Sequence, residues 1–341
     1  MTRPDTPACP RFSRRQAVKL LAASGLVAAG AGLGCDTAVD GRPKTPVFVA
    51  KASDYGADLG GILRRGLAEL GVTPGEVAGK RVLLKPNLVE PHAGAGHINT
   101  HPLVVRAAAE AFLALGAAGV VVAEGAGHRR DAWLVLEESG LADVLAEDRL
   151  AFRDLNTGPV HRVKNQGSWS RLGDLWLPDA LGEADLVVSL AKMKTHHWAG
   201  ATLSMKNLFG VMPGVVYGWP KNALHFAGIE PSILDINATV RPALAIVDGI
   251  VGMEGDGPIM GDPVPAGVLV MGRSAVAVDA TCCRVMGIDP DRLGYLREAA
   301  GRLGPIAAGR LEQRGEDPAA VRRDFALLDY VPAQQGIRLA R

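Results

Sequence analysis

The stretch "ADLVVSLAKMKTHHWAGATLSMKNLFG", residues 184–210, begins as a continuous apolar run and ends in a group of basic side chains. Its first half is typical of a strand that is buried on both faces of a sheet. Only 21% of the chain is charged, yet five basic or titratable side chains follow this run within fifteen positions: Lys192, Lys194, His196, His197 and Lys206. A buried strand that ends in so many cations predicts a site for an anionic ligand.

Short apolar runs alternate with longer helical patterns along the rest of the chain. Candidate strands cover residues 47–50, 81–85, 119–124, 150–154, 184–192, 243–248 and 267–272. Candidate helices cover residues 58–71, 102–115, 131–146, 231–240 and 274–287. This alternation predicts an α/β fold with a mostly parallel, doubly wound sheet and helices on both faces. Turn signals within 160–178 predict a small antiparallel excursion.

The first 34 residues have the pattern of an export signal. A basic region that contains Arg14 and Arg15 precedes an uncharged stretch from Leu20 to Gly34. A membrane-spanning helix needs about 20 apolar residues, and this stretch is shorter. A signal peptide is therefore the better interpretation. The arginine pair resembles a twin-arginine signal. Cys35 follows as in a lipoprotein cleavage site, and lipid attachment and simple cleavage both remain open.

These patterns predict the organisation of the whole chain. We expect an export signal at 1–34, a polar tether at 35–45, an α/β domain at 46–331 and a tail at 332–341. The protein is therefore expected to be exported across the cytoplasmic membrane, and to be periplasmic or anchored to the membrane by a lipid on Cys35.

Charge and cysteine content exclude several classes of protein. Residues 1–34 carry five basic residues and one acidic residue, so without them the formal net charge falls from +1 to −3. A slightly acidic protein is a poor candidate for nucleic-acid binding. The adjacent Cys282 and Cys283 fall in a helical pattern and are expected to be buried. No cysteine run suits an iron–sulfur cluster, so none is expected.

Three lysine motifs carry the anion-binding prediction: "KPN" at 85–87, "KMKTHH" at 192–197 and "MKN" at 205–207. Lysine supplies a point charge with three donors, and a neighbouring asparagine supplies an oriented amide. We expect the following side chains to bind the anion: Lys85, Asn87, Lys192, Lys194, Lys206 and Asn207. The alternative is a solvated surface patch.

Several predicted strands end in a charged residue, and four of these residues are Lys85, Glu124, Lys192 and Asp248. In open α/β sheets, ligands bind outside the carboxyl ends of the strands, so the four residues are expected to share one crevice.

Acidic and histidine side chains suggest further roles in this crevice. Glu124, Asp248 and Glu254 are candidate ligands for a hard cation such as Mg²⁺, with a solvated acidic turn as the alternative for the 248–258 loop. His196 and Asp248 are candidate proton carriers. His196 and His197 are adjacent, so they cannot readily bind one metal together. Asp279 either reaches the crevice or caps a helix.

Four motifs in order resemble a known family. They are "LLKPNLV" (83–89), "INTHPLVVRAAAEAFLALGAAGVVVAEGAGH" (98–128), the opening stretch (184–210) and "DGIVGMEGDGPIMGDP" (248–263). Together they resemble the bacterial and archaeal domain-of-unknown-function family 362 over roughly residues 46–290. The resemblance supports the motifs but implies no agreed reaction. Some members are fused to ferredoxin-type cluster domains, whose cysteines this chain lacks.

The sequence thus predicts an exported protein that binds or acts on an anionic small molecule or cofactor bearing phosphate or carboxylate. It leaves open whether a reaction is catalysed. The alternative function is a noncatalytic envelope lipoprotein that captures a ligand or assists the assembly of a partner.

Overall fold

A ten-stranded mixed sheet lies at the centre of the protein, whose computed structural model describes residues 43–127, 130–219 and 221–340. The strands are β1 (Thr45–Lys51), β2 (Arg81–Pro86), β3 (Gly119–Glu124), β4 (Ala151–Asp154), β5 (Val160–Val163), β6 (Leu175–Pro178), β7 (Leu186–His196), β8 (Gly200–Thr202), β9 (Leu244–Glu254), β10 (Asp262–Val264), β11 (Val268–Gly272) and β12 (Leu311–Gly315). The main order is β12-β1-β11-β9-β7-β2-β3-β4. β5 and β6 form a separate antiparallel pair, as the sequence predicted.

The central strands of the sheet are parallel. β4, β3, β2, β7 and β9 run in one direction, so their carboxyl ends share one edge. β11 is antiparallel to both of its neighbours, β9 and β1. The predicted mostly parallel sheet is confirmed, and the strand ends at Lys85, Glu124, Lys192 and Asp248 all lie toward this edge.

Helices cover both faces of the sheet. They are α1 (Leu59–Glu69), α2 (Pro74–Val77), α3 (Pro102–Ala114), α4 (Ala132–Glu138), α5 (Leu141–Glu147), α6 (Asp179–Glu183), α7 (Ser204–Asn207), α8 (Gly214–Tyr217), α9 (Asn222–Phe226), α10 (Ile229–Val240), α11 (Ala275–Val285) and α12 (Gly294–Ala299). One apolar core joins the sheet to α1 and α3, and a second joins it to α10 and α11. Burial of each large aliphatic side chain in these cores contributes about 1.5–3 kcal/mol.

Two predicted elements differ from those observed. The helix predicted at 131–146 is divided at Gly140, whose φ of 73° places it in the left-handed region that favours glycine. The strand predicted to end at Lys192 continues to His196, because β8 folds back and pairs with its end. Cys282 and Cys283 are buried in α11, as expected.

The predicted export signal and Cys35 lie outside the described residues. Residues Pro43–Arg341 form one compact unit. The segment expected as a tail lies against it, where Gln334 is 2% and Ile337 is 5% exposed. Across the described ranges, we find no helix with the length and apolar character needed to cross a membrane.

Candidate functional site

A cavity of about 210 Å³ lies at the carboxyl edge of β2, β3 and β7. Its polar lining includes Lys85, Asn87, Glu124, Lys194, His196, Thr202, Lys206, Asn207 and Lys221. Its apolar lining includes Leu88, Val89, Trp198 and Phe209. The cavity therefore brings together five of the six side chains that the sequence predicted as anion ligands.

Lys85 lines the cavity, and its ammonium group is held in an ion pair with Glu124. Its Nζ donates to Glu124 Oε2 at 2.6 Å, Asn207 Oδ1 at 2.8 Å and the Pro86 carbonyl at 2.8 Å. An ammonium group has three hydrogens, so all of them are used. Burial lowers the pKa of Lys85, and the charge of Glu124 opposes that shift.

Glu124 and Asn207 are also held by several hydrogen bonds. The Glu124 carboxylate accepts from the backbone N–H groups of Leu88 and Gly125 at 3.1 and 2.8 Å. The Asn207 amide donates to the Lys85 carbonyl and to Ser189 Oγ. These contacts connect β2, β3, β7 and α7, so the set predicted to bind ligand or metal instead stabilises the cavity wall.

Lys206 differs from Lys85 in its surroundings. It is half-buried, and its Nζ lies 4.8 Å from the centre of the Phe209 ring. Within the described residues, no hydrogen-bond acceptor and no carboxylate is paired with this ammonium group. Burial, and then the charge of Lys85, lower the pKa of Lys206 to about 8.

Lys194 is the second lysine with a hydrogen to spare. Its Nζ donates to the carbonyl oxygens of Ile98 and Pro258 at 2.9 and 3.1 Å, which uses two of three hydrogens. Burial, and then the charge of Lys206, lower the pKa of Lys194 well below its usual range.

Lys221 is a cavity residue that the sequence analysis missed. It donates to the carbonyl oxygens of Gly125, Phe209 and Gly210 at 2.8, 3.2 and 3.2 Å. Burial lowers its pKa to about 7. The available signal was the pair Lys221-Asn222, which repeats the pair Lys206-Asn207.

His196 lines the cavity in a fixed tautomer. Its Nδ1 accepts from the backbone N–H groups of Trp198 and Ala199 at 2.9 and 3.2 Å, so Nε2 carries the proton. Burial, and then the charge of Lys206, lower the pKa of His196 well below its usual range. The imidazole is therefore neutral near physiological pH.

Lys192 and Asp248 form a separate buried cluster with Tyr55. Lys192 Nζ donates to Asp248 Oδ2 at 2.8 Å and to the Tyr55 hydroxyl at 2.7 Å. Asp248 Oδ2 also accepts from the His101 backbone N–H at 3.1 Å, and His101 stacks on Tyr55 at 3.6 Å. Burial, and then Asp248, raise the pKa of Tyr55.

This cluster places two of the predicted site residues away from the cavity. Lys192 and Asp248 do not line the cavity, because each satisfies the other's charge beneath the sheet edge. A register shift between β7 and β9 separates Lys192 from Lys194, although they are two residues apart. His196 and Asp248 consequently do not form an acid–base pair.

The three predicted metal ligands are not brought together. Glu124 pairs with Lys85, Asp248 pairs with Lys192, and Glu254 Oε2 accepts from the Ala326 backbone N–H at 2.8 Å. In the part of the chain that the structure describes, no group of three or more His, Cys, Asp or Glu residues is placed to hold a metal ion. The structure therefore places these three carboxylates in separate contacts.

Asn87 and Thr202 each place an unsatisfied polar atom at the cavity. Asn87 Oδ1 and Thr202 Oγ1 are buried, and neither finds a hydrogen-bond partner among the described atoms. Buried polar groups are normally hydrogen-bonded, so these two atoms are positioned for a ligand or solvent.

Asp279 acts as the helix cap that was one of its two predicted roles. Its carboxylate accepts from the backbone N–H groups of Ser204 and Met205 at 2.8 and 3.0 Å. Burial raises the pKa of Asp279 to about 7. The first amides of α7 are thereby occupied, and the short helix carries Lys206 to the cavity.

Comparisons with known proteins identify relatives of the chain. Residues 82–284 match the family described as Domain of unknown function (DUF362). The "Thylakoid-associated protein sll1697" of Synechocystis is 30% identical over 238 residues, which are 67% of this chain and 70% of that protein.

Two solved structures are also similar. The lactate racemase apoprotein from Thermoanaerobacterium thermosaccharolyticum shares 14% identity at a TM-score of 0.44, over 72% of this chain and 58% of that one. A protein from Thermotoga maritima shares 13% identity at a TM-score of 0.35, over 66% and 57%. The chain thus spans less than two thirds of either structure.

Proposed function

The chain belongs to the domain-of-unknown-function family DUF362, and we propose that it binds an anionic small molecule bearing phosphate or carboxylate in the cavity at Lys206. The observation that carries this proposal is the Lys206 ammonium group, which lines the cavity and has no acceptor within the described residues.

The lysine hydrogens that no protein acceptor uses identify the groups that would hold the anion. Lys85 and Lys221 each donate to three protein acceptors, so neither has a hydrogen for a ligand. Lys194 has one hydrogen left and Lys206 has three. Thr202 Oγ1 can add a hydroxyl donor. The anion would therefore lie between Lys206 and Lys194.

The charge balance of the cavity supports the same ligand class. Four lysines line it, and Glu124 is the carboxylate among the lining residues that the structure describes. Glu124 is paired with Lys85, so Lys194, Lys206 and Lys221 are left without a carboxylate partner. Mutual repulsion and burial both disfavour the charged lysines, and a bound anion would relieve that cost.

The apolar lining limits the shape of the ligand. Trp198 and Phe209 present aromatic surface, and Leu88 and Val89 add aliphatic surface. A small molecule with an anionic group and a compact apolar or planar part would satisfy both halves of the lining.

Anion-dependent thermal unfolding tests this function. The wild-type melting temperature should rise in sulfate or phosphate relative to chloride at equal ionic strength, because a ligand that binds only the folded state stabilises it. Lys206→Met should lose most of the rise. Lys164→Met is the matched control, since Lys164 is exposed and lies outside the cavity lining. A wild-type protein that responds equally to chloride, sulfate and phosphate would contradict the function.

We further propose that the protein is exported and anchored through Cys35. The arginine pair Arg14-Arg15 and the residues before Cys35 support this location, and so does the relative named for its association with thylakoids. Replacing both arginines with lysine should leave the precursor in the cytoplasm. Incorporation of labelled palmitate that persists in Cys35→Ala would contradict the anchor.

A further inference from the structure

The buried lysines differ in how many hydrogen bonds to the protein each would lose on deprotonation. A neutral amine has two hydrogens and one lone pair. At Lys85 or Lys221, deprotonation would leave one of three protein oxygens facing that lone pair. At Lys192 it would weaken the contact with Asp248. Each of these three lysines would therefore lose a protein contact on deprotonation, although burial lowers the pKa of all three.

Lys206 has no such contact to lose. Its Nζ lies beside the Phe209 ring and lines the cavity, and the described residues offer it no acceptor. The other lining residues that can carry a charge include Lys85, Lys194, Lys221 and Glu124, of which Glu124 is paired with Lys85, and His196 lies there as a neutral imidazole. This surrounding favours the neutral amine, and the pKa of Lys206 falls to about 8 through burial and Lys85.

We propose that Lys206 is a nucleophile that forms an imine with a carbonyl group of the bound anion, so that the ligand class is a carbonyl-bearing anion such as a 2-oxo acid. The proposal rests on the anion-binding function above and adds the chemical class of the ligand. A lysine that is desolvated and close to another cation is a recognised arrangement for this chemistry.

The reaction needs no oxidant, reductant or further reactant. The Nζ lone pair attacks the carbonyl carbon and forms a carbon–nitrogen bond, while the π electrons of the carbonyl move to its oxygen. That oxygen takes up a proton, and the nitrogen releases one. A second proton then converts the hydroxyl group into a water leaving group, and the nitrogen lone pair expels it to give the protonated imine. Loss of the remaining proton from the nitrogen returns this second proton, so the net products are the imine and water.

Neighbouring groups suit the two ends of such a ligand. Because His196 Nδ1 is occupied, its Nε2–H is the donor that remains for the carbonyl oxygen. Lys194 retains one hydrogen for the carboxylate, and Thr202 Oγ1 is unsatisfied among the described residues. A 2-oxo acid carries its carboxylate next to its carbonyl, so one ligand of this class offers a group to Lys194, to His196 and to Lys206, which all line the same cavity.

Reductive trapping tests the proposal. The full chain is incubated with glyoxylate or pyruvate and sodium cyanoborohydride, and adducts are located by peptide mass spectrometry. We expect one dominant adduct at Lys206, formed at least about tenfold faster than at the exposed Lys164, because its ammonium group has no acceptor among the described residues and its pKa of about 8 leaves part of the amine neutral near pH 7. The rate should rise with pH to a midpoint of about 8. Sulfate should slow it by competition.

Lys206→Arg separates the inference from the proposed function, because arginine keeps a cation but forms no such imine. Its dominant adduct should be absent, while part of the sulfate-dependent rise in melting temperature should remain. If wild type responds to sulfate but is trapped no faster at Lys206 than at Lys164, the imine is excluded and anion binding stands. A dominant adduct at Lys194 or Lys221 would also overturn the assignment. If Lys206 is trapped but sulfate neither competes nor stabilises, the nucleophile stands and the anion site fails.

Discussion

The Lys85 ammonium lies 2.6 Å from the Glu124 carboxylate, and the two side chains are 1% and 2% exposed. This contact neutralises one of the buried lysines of the cavity and joins the ends of β2 and β3. The positive charge that remains for a ligand therefore comes from lysines beyond this pair, above all Lys206.

We expect a large loss of stability when only one member of the Lys85–Glu124 pair is replaced. Lys85→Met leaves a buried carboxylate without its cation, and the free energy of unfolding should fall by about 3–5 kcal/mol in urea titrations. Removing Arg162 from its exposed pair with Asp174 is the control, and it should cost less than about 1 kcal/mol. Equal losses for the two variants would show that the buried pair has no special role.

A methyl group at Gly210 should disrupt the same pair. A Cβ there would lie 2.5 Å from Lys85 Nζ and would overlap the Glu124 carboxylate. Gly210→Ala should therefore lower the free energy of unfolding by about 1–3 kcal/mol or more. Gly119→Ala is the matched control, because nothing lies within 4 Å of its added Cβ. A Gly210→Ala protein as stable as the Gly119→Ala protein would argue against this packing.

The Tyr55 hydroxyl should stabilise the buried cluster that it forms with Lys192 and Asp248. It accepts from Lys192 at 2.7 Å and lies 3.2 Å from Asp248 Oδ1. Tyr55→Phe leaves Lys192 with one partner fewer, and we expect a loss of about 1–3 kcal/mol in chemical denaturation. Tyr330→Phe, at a side chain 75% exposed, should change little. The response to sulfate should survive Tyr55→Phe, since Tyr55 does not line the cavity.

Stability without added anion should rise as pH increases above about 8. The folded pKa of Lys206 is about 8, below its ordinary 10.5, so between these values the unfolded chain binds more protons than the folded one. The free energy of unfolding then increases with pH in that window. Lys221, whose folded pKa is about 7, should also increase the free energy of unfolding as pH rises, beginning at a lower pH.

Lys206→Met should reduce this slope, which urea titrations at several pH values can measure. Lys164→Met, at an exposed position, should leave the slope unchanged. A wild-type slope that is flat or negative above pH 8 would contradict the lowered pKa of Lys206.

The sheet could be predicted because apolar runs and their alternation with helices are local properties of the sequence. The run before Lys192 indicated a central strand, and β7 pairs with β2 and β9 in the middle of the sheet. The shared edge of Lys85 and Glu124 then followed from the rule that parallel strands end on one side.

The partners of each lysine could not be predicted, because they depend on contacts between distant segments. Lys85 meets Asn207, which lies 122 residues away, and Lys192 meets Tyr55, which lies 137 residues away. Lys192 and Lys194 belong to one motif, yet a register shift gives them different partners. Lys221 was missed because its surrounding sequence contains no strand end.

A crystal structure grown with selenate tests the central claim most directly, since anomalous scattering locates selenium without ambiguity. We expect one selenate in the cavity, with oxygen atoms within hydrogen-bond distance of Lys206 Nζ and of the free hydrogen of Lys194. The Lys85–Glu124 contact should remain at its distance of 2.6 Å. Selenate bound only at surface lysines, with a cavity that holds water alone at the same concentration, would contradict the account.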